Sequence, residues 1–479
     1  MAFEGRTISY GELDQRIGAT AAGLAAHGVV QGDRIAYCGL NRVELLELLF
    51  AATRLGAILM PVNNRLSVGE IAYQLGDARP AAVFGTDGFT ATLDAAADAA
   101  GLAVGMVRRD LDSDPFSDVP VDAQASLPPD GDRPALMVYT SGTTGSPKGA
   151  VLTERSLLHT VLNGVTHQDL HRDDVILTAL PLFHVGGLNI QTLPALYAGA
   201  TVVLQRRFDP ENYLELVSTH RPSQSLLVPA ALRAVIGHER FDRTDMTSLH
   251  GMNTGSSVVP RAVIEPWLER GVKVGQVYGS TETGPTAVVL DYADGASHIG
   301  SCGKAALHTE LRIVDDNGND VHGDEAGELW LRGPNLFSEY WRDPQSTAQA
   351  MAAGGWYRSG DVGYRDEQAY VFISDRKHDV VISGGENIYP AEVENILADH
   401  PAIAEVAVIG IPDDRWGETV EAVVVRNDAH PDPLDLRELR AWCDGRLARY
   451  KQPHALRLIE ELPRTALGKV KKHLLRAKH

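Results

Sequence analysis

Short apolar runs recur through the first three-quarters of the chain, each separated from the next by an amphipathic stretch long enough to be a helix. A helix over residues 11–27 leads to a strand at 34–38, and a helix over 41–55 leads to a strand at 57–60. The same rhythm returns at 81–84, 175–178, 201–204 and 225–228. Parallel strands need a crossover, usually helical, to return the chain to the same edge. The alternation therefore predicts an α/β fold with largely parallel sheets. Residues 110–134, rich in Asp, Pro and Ser, read as a surface connection.

The texture changes near Gly300. Strand-like runs at 311–314 and 328–331 flank a turn at 315–318, and another strand follows at 370–373. Beyond Asp379 come a strand at 380–382, a helix over 391–398, strands at 405–409 and 421–425 and a helix over 434–447. That is enough for a small α+β unit of about 100 residues. The expected division is a large N-terminal region of several α/β parts over 1–374, a hinge at 375–379 and a small C-terminal cap over 380–479.

A chain of 479 residues can bury a large core without disulfides or metals. Its cysteines, Cys38, Cys302 and Cys443, form no C-x-x-C pair, which argues against structural zinc and for a reducing interior, the cytoplasm. The polar N-terminus does not resemble a secretory leader, and no apolar run approaches the roughly 18 residues of a membrane span. A net charge of −19 argues against a general nucleic-acid binder, because phosphate backbones are held by basic surfaces. The charge is uneven. Residues 445–479 carry ten Lys and Arg against two Glu, a local +8 that leaves −27 on the rest.

The strongest chemical signal is Tyr139-Thr140-Ser141-Gly142-Thr143-Thr144-Gly145-Ser146-Pro147-Lys148-Gly149, after the apolar run 135–138. Small residues let backbone N–H groups approach phosphate oxygens, the hydroxyls add donors and Lys148 adds a cation. It is not a Walker A loop, because Pro147 precedes the lysine and Gly149 follows it. Farther on, Glu282 follows a Gly-Ser-Thr turn, and a carboxylate beside a triphosphate needs a divalent cation such as Mg²⁺ between them.

The loop resembles the signature of the adenylate-forming superfamily of acyl-CoA synthetases, peptide-synthetase adenylation domains and luciferases, closest to fatty-acid or aryl-acid CoA ligases. Further motifs match in the family's order: Pro181-Leu182-Phe183-His184, Tyr278-Gly279-Ser280-Thr281-Glu282, Gly355 to Asp361, Asp375 to Asp379 with Ser383 to Asn387, and Pro463 to Lys469. The resemblance covers essentially the whole chain. It implies nucleotide binding by Thr140, Ser141, Gly142, Thr143, Thr144, Gly145, Lys148, Tyr278, Gly279, Asp361 and Arg376, with the adenine loop at Gly255 and Ser256. It assigns Thr281 to phosphate, Glu282 to Mg²⁺ and Lys469 to catalysis of adenylation, where a positioned ammonium offsets charge building on the α-phosphate. His378 stands at the pivot, and Gly384, Gly385 and Glu386 belong to the face that forms the thiol channel after the cap rotates.

The implied reaction joins a small carboxylic acid to ATP, releases pyrophosphate and passes the acyl group to CoA, releasing AMP. Loading onto a carrier protein is the alternative, since the basic segment with Arg446, Arg449, Lys451 and Arg457 suits either CoA phosphates or an acidic carrier. His184 offers no counter-charge for an amino-acid ammonium, and no Arg precedes Tyr278 to hold a second carboxylate. Val185, Gly187, Gly279 and Gly284 then suggest an apolar or open pocket for an alkyl or aryl acid.

Overall fold

The computed structural model describes residues 1–102, 107–111, 127–141, 146–255, 259, 261–315, 317–323, 325, 327–376, 381–388, 390–427, 434–463, 470 and 472–476. Two large sheets organise the N-terminal region. One has nine strands in the order Lys304–Ala305, Val288–Leu290, Lys273–Tyr278, Gly251–Gly255, Gln224–Leu226, Val175–Thr178, Thr201–Leu204, Ala2–Phe3 and Arg6–Thr7. Its central strands are parallel and its outer ones antiparallel. The other has seven strands, with Ile58–Pro61, Arg34–Cys38, Ala82–Gly85 and Val107–Asp110 parallel, and the hairpin Pro134–Ser141 and Pro147–Thr153 at the other side.

A helical layer lies between these sheets. The helix Val43–Leu55 is apolar nearly all round, with Leu45, Leu46, Leu48 and Leu49 buried, as a helix covered on both sides must be. The helix Tyr10–Ala26 packs beside it, and their side chains share one core with strands of both sheets. A second core covers the outer face of the nine-stranded sheet, around Trp267, Tyr213 and Met252. A third covers the outer face of the seven-stranded sheet with the helices Val68–Ala78 and Thr90–Ala99.

A five-stranded antiparallel sheet follows, built from Glu310–Val314, Gly327–Arg332, Trp356–Arg365, Met351–Ala352 and Val371–Arg376. The C-terminal unit has its own sheet, in which the long hairpin Ile403–Asp413 and Gly417–Arg426 carries the short strands Val381–Ser383, Glu386–Ile388 and Ala455–Leu458. Its core is separate, around Val393, Leu397, Val408 and Leu439. The expected helix over 434–447 is shorter, Leu436–Cys443, because Gly445 takes a left-handed φ of 75° that ends it. Among the described residues no helix is long and apolar enough to cross a membrane.

Candidate active site

The hairpin of the seven-stranded sheet sets Thr140 opposite Lys148 in its ladder. Thr140 Oγ1 donates to Glu282 Oε1 at 3.0 Å, which joins this hairpin to the turn after the strand Lys273–Tyr278. Glu282 is buried and Thr281 beside it lines the same cavity. The Lys148 ammonium sits 5.3 Å from the centroid of the Tyr340 ring. Four residues before Glu282, Tyr278 donates its hydroxyl to Asp361 Oδ2 at 2.7 Å. Burial, with the Asp361 charge adding to it, raises the Tyr278 pKa well above that of a free phenol, so it remains a donor. Asp361 in turn pairs with Arg376 in strand register. The residues expected to hold phosphate and ribose therefore come from three different sheets and meet at one place.

His184, Val185, Gly186 and Gly187 continue that cavity toward Thr254, Gly255, Val277, Gly279 and Pro285, within a void of about 1050 Å³. The Gly186 N–H donates to His184 Nδ1 at 3.1 Å, so the neutral ring carries its proton on Nε2. Although the ring is open to the cavity, desolvation by its walls lowers the His184 pKa, with Glu386 opposing the shift and Arg65 adding to it. The chain then runs through a π-helical segment, Gly186–Thr192, a wide turn of the kind often found at functional sites. A Cβ on Gly187 would lie 2.5 Å from the carbonyl oxygen of Leu180 and 2.6 Å from that of Pro181. Gly284, expected in the acyl pocket, is not there. It takes a φ of 59°, and a Cβ on it would press on Thr160 and the Asn335 carbonyl, so it serves the turn while Pro285 lines the cavity.

The C-terminal unit closes the far side. Gly384, Gly385 and Glu386 line the cavity with Asp414, Arg415 and Trp416. A Cβ on Gly385 would lie 3.0 Å from Val228, and one on Gly384 would lie 2.8 Å from Trp416. Glu386 is ion-paired with Arg65, and Asn63 donates to the Tyr450 hydroxyl at 3.3 Å. Of the four cations expected to meet CoA or a carrier, Arg446 and Arg449 are exposed and two are engaged within the protein. Lys451 is buried between Glu70 and Glu392, and Arg457 pairs with Glu421 at 2.7 Å. The guanidinium groups that line the cavity without a carboxylate partner among the described residues are Arg207, Arg233 and Arg415. Tyr357, within the Gly355 to Asp361 motif, is buried against Phe337.

Gly142, Thr143, Thr144, Gly145, Ser256, His378 and Lys469 lie outside the described residues, as do the side chains of Ser141 and Arg376. Sequence reasoning did not find Tyr340, Arg65, Arg207, Arg233, Arg415 or Trp416. Each lies in a short segment whose local pattern carries no chemical signature, although the aromatic run Tyr340-Trp341 was a visible cue.

Comparison with known proteins matches the AMP-binding enzyme family over residues 1–341 and the AMP-binding enzyme C-terminal domain over residues 392–469. The chain is 44% identical to an indoleacetate–CoA ligase of Aromatoleum aromaticum, over 98% of this chain and 93% of that protein. It is 40% identical to a feruloyl-CoA synthase of an Amycolatopsis species, again over 98% and 93%. Among solved structures, it superposes with a TM-score of 0.89 on a double mutant of o-succinylbenzoate CoA synthetase from Bacillus subtilis bound with its product analogue. That match is 30% identical and covers 99% of this chain and 94% of the other.

Proposed function

The chain belongs to the AMP-binding enzyme family, and on that footing we propose that it is an ATP-dependent acid–CoA ligase whose acids are aryl or arylalkyl carboxylates. The observation that carries the reading is one cavity whose lining includes Thr281 and Glu282, His184 and Gly186, and Gly384 and Gly385. Such a void lets one acyl group meet first a nucleotide and then a thiol.

In the first step a carboxylate oxygen attacks the α-phosphorus of ATP and pyrophosphate leaves. We assign Asp361, which accepts a hydrogen bond from Tyr278, to the ribose hydroxyls, and Lys148 and Thr281 to the phosphates. Among the described residues no group of three or more His, Cys, Asp and Glu could cage a metal. A magnesium ion carried by the nucleotide needs only one or two protein carboxylates, and Glu282 fits that need. Bound Mg²⁺ would neutralise triphosphate charge. Lys469 is the residue we assign to the charge developing on the α-phosphate.

In the second step a thiol sulfur attacks the acyl carbon and AMP leaves. The small Gly384-Gly385 face supports a narrow thiol route at this point, with residues 375–379 as the hinge that brings it there and residues 380–479 as the moving unit. CoA is favoured over a carrier protein because Arg207, Arg233 and Arg415 line the cavity without a carboxylate partner among the described residues, a donor set suited to phosphates. The three cysteines are free and buried, which supports work in the reducing cytoplasm.

ATP–pyrophosphate exchange with indoleacetate, ferulate, benzoate and medium-chain fatty acids tests the reading, followed by acyl transfer to CoA or to a carrier protein. Exchange with an aryl acid and transfer to CoA is the expected result. Exchange with fatty acids alone, or transfer to the carrier alone, overturns it.

A further inference from the structure

Glu282 is held in an unusual way. Two side chains donate to it, Thr140 Oγ1 and the Tyr340 hydroxyl, each at 3.0 Å, and both reach the same oxygen, Oε1. Among the described residues Oε2 receives no side-chain hydrogen bond. The backbone reinforces the arrangement, because the Phe337 N–H donates to the Glu282 carbonyl at 2.8 Å. Three residues on, Tyr340 lies in the two-residue strand Glu339–Tyr340, paired opposite Ala150 on the strand that carries Lys148. The Tyr340 ring packs 4.8 Å from Phe337, so the side chain is held by its neighbours apart from its hydroxyl.

We propose that Tyr340 is a positioning residue for adenylation: with Thr140 it anchors Glu282 through Oε1, leaving Oε2 for the divalent cation that accompanies ATP. The inference rests on the acid–CoA ligase reading. The chemistry is that of a carboxylate shared between fixed donors on one oxygen and a cation on the other. Because the Lys148 ammonium also lies over the Tyr340 ring, one side chain sets the relative position of the phosphate cation and the metal carboxylate.

The test is Tyr340→Phe, which keeps the ring and removes the hydroxyl. Three quantities are measured: Mn²⁺ affinity by electron paramagnetic resonance with a non-hydrolysable ATP analogue, the Mg²⁺ dependence of pyrophosphate exchange, and thioester formation from supplied acyl-adenylate. The expected result is about tenfold weaker Mn²⁺ binding, the scale of one hydrogen bond to a charged group, with a matching shift in Mg²⁺ dependence and thioester formation within about twofold. Unchanged Mn²⁺ affinity and Mg²⁺ dependence overturn the proposal, as does an equal fall in both half-reactions. If Tyr340→Phe fails to fold, Thr140→Val removes the other Oε1 donor, and the Mg²⁺ dependence relative to the nucleotide dependence decides: a shift of the first beyond the second supports the proposal, and no such shift overturns it. Wild-type protein that binds no Mn²⁺-nucleotide overturns the ligase reading itself, and is thereby distinguished from failure of the Tyr340 assignment alone.

Discussion

The Lys451 ammonium of the C-terminal unit lies 2.9 Å from Glu70 Oε1 on the helix Val68–Ala78 and 2.7 Å from Glu392 Oε1 within its own unit. The three side chains are almost wholly covered, and the contact to Glu70 crosses between the units. In the proposed rotation of the small unit the Glu70 contact would break and the Glu392 contact would stay, so this charge cluster favours the orientation with Gly385 at the cavity. Glu70→Gln keeps the helix cap that Glu70 forms with Ser67, because Gln serves that motif equally. We expect it to slow thioester formation several-fold and to leave pyrophosphate exchange unchanged or faster. Equal effects on both half-reactions count against an orientation-selective role.

Gly385 takes a φ of 85° with the Val228 side chain where a Cβ would go. In Gly385→Ala, left-handed backbone strain of about 1–2 kcal/mol adds to the crowding. Thioester formation from supplied acyl-adenylate should fall about tenfold, with exchange nearly intact. Stopped-flow consumption of CoA thiol measures it.

Lys469→Ala should remove adenylation by about 10²-fold or more, the scale of losing one transition-state donor, and spare thioester formation from supplied adenylate. Pyrophosphate release and CoA consumption, measured separately, check this. Loss of both would assign Lys469 to something other than the first step.

The double variant Arg233→Ala, Arg415→Ala should raise the KM for CoA about tenfold or more and leave those for ATP and acid in place. Comparing CoA with dephospho-CoA shows whether the 3′-phosphate is among the groups held. An unchanged KM for CoA places the phosphates elsewhere.

Glu47, buried on the helix between the two large sheets, has its pKa raised to about 7 by desolvation, with Arg16 opposing the shift. A carboxyl whose folded pKa exceeds its unfolded one stabilises the fold at low pH and loses that contribution as pH rises through the folded value. Glu47→Gln should therefore raise the thermal midpoint over wild type at pH 8.5 but not at pH 4.5, with a difference on the order of 2 kcal/mol. Paired thermal melts across that range provide the check.

The elements read from sequence fall where burial makes them unambiguous. The strands Arg34–Cys38, Val175–Thr178 and Thr201–Leu204 match to the residue, since a parallel strand covered on both faces is a contiguous apolar run. The helix ending at Cys443 was overextended because Leu447 and Ala448 are buried outside it, and burial alone mimics helical continuation. At the site, Thr281, Glu282, Asp361 and the Gly384-Gly385 pair were legible because they sit in motifs. Their supports were not. Tyr340 reaches Glu282 across 58 positions and Lys451 reaches Glu70 across 381, and such pairings depend on topology that no local pattern encodes.

The wide turn that follows His184 also divides two adjacent glycines by their tolerance to change. Gly187 is shut against two carbonyl oxygens, whereas a methyl on Gly186 would meet only His184 Nδ1 at 3.3 Å and a Leu180 methyl at 3.6 Å. If the acid binds here as proposed, redesign of its preference has a frozen position beside one that opens when the His184 ring gives by a few tenths of an ångström. Larger residues at Gly186 would shorten the chamber, and libraries aimed at new acids gain by varying Gly186 with Ile190 and Val185 while leaving Gly187 untouched.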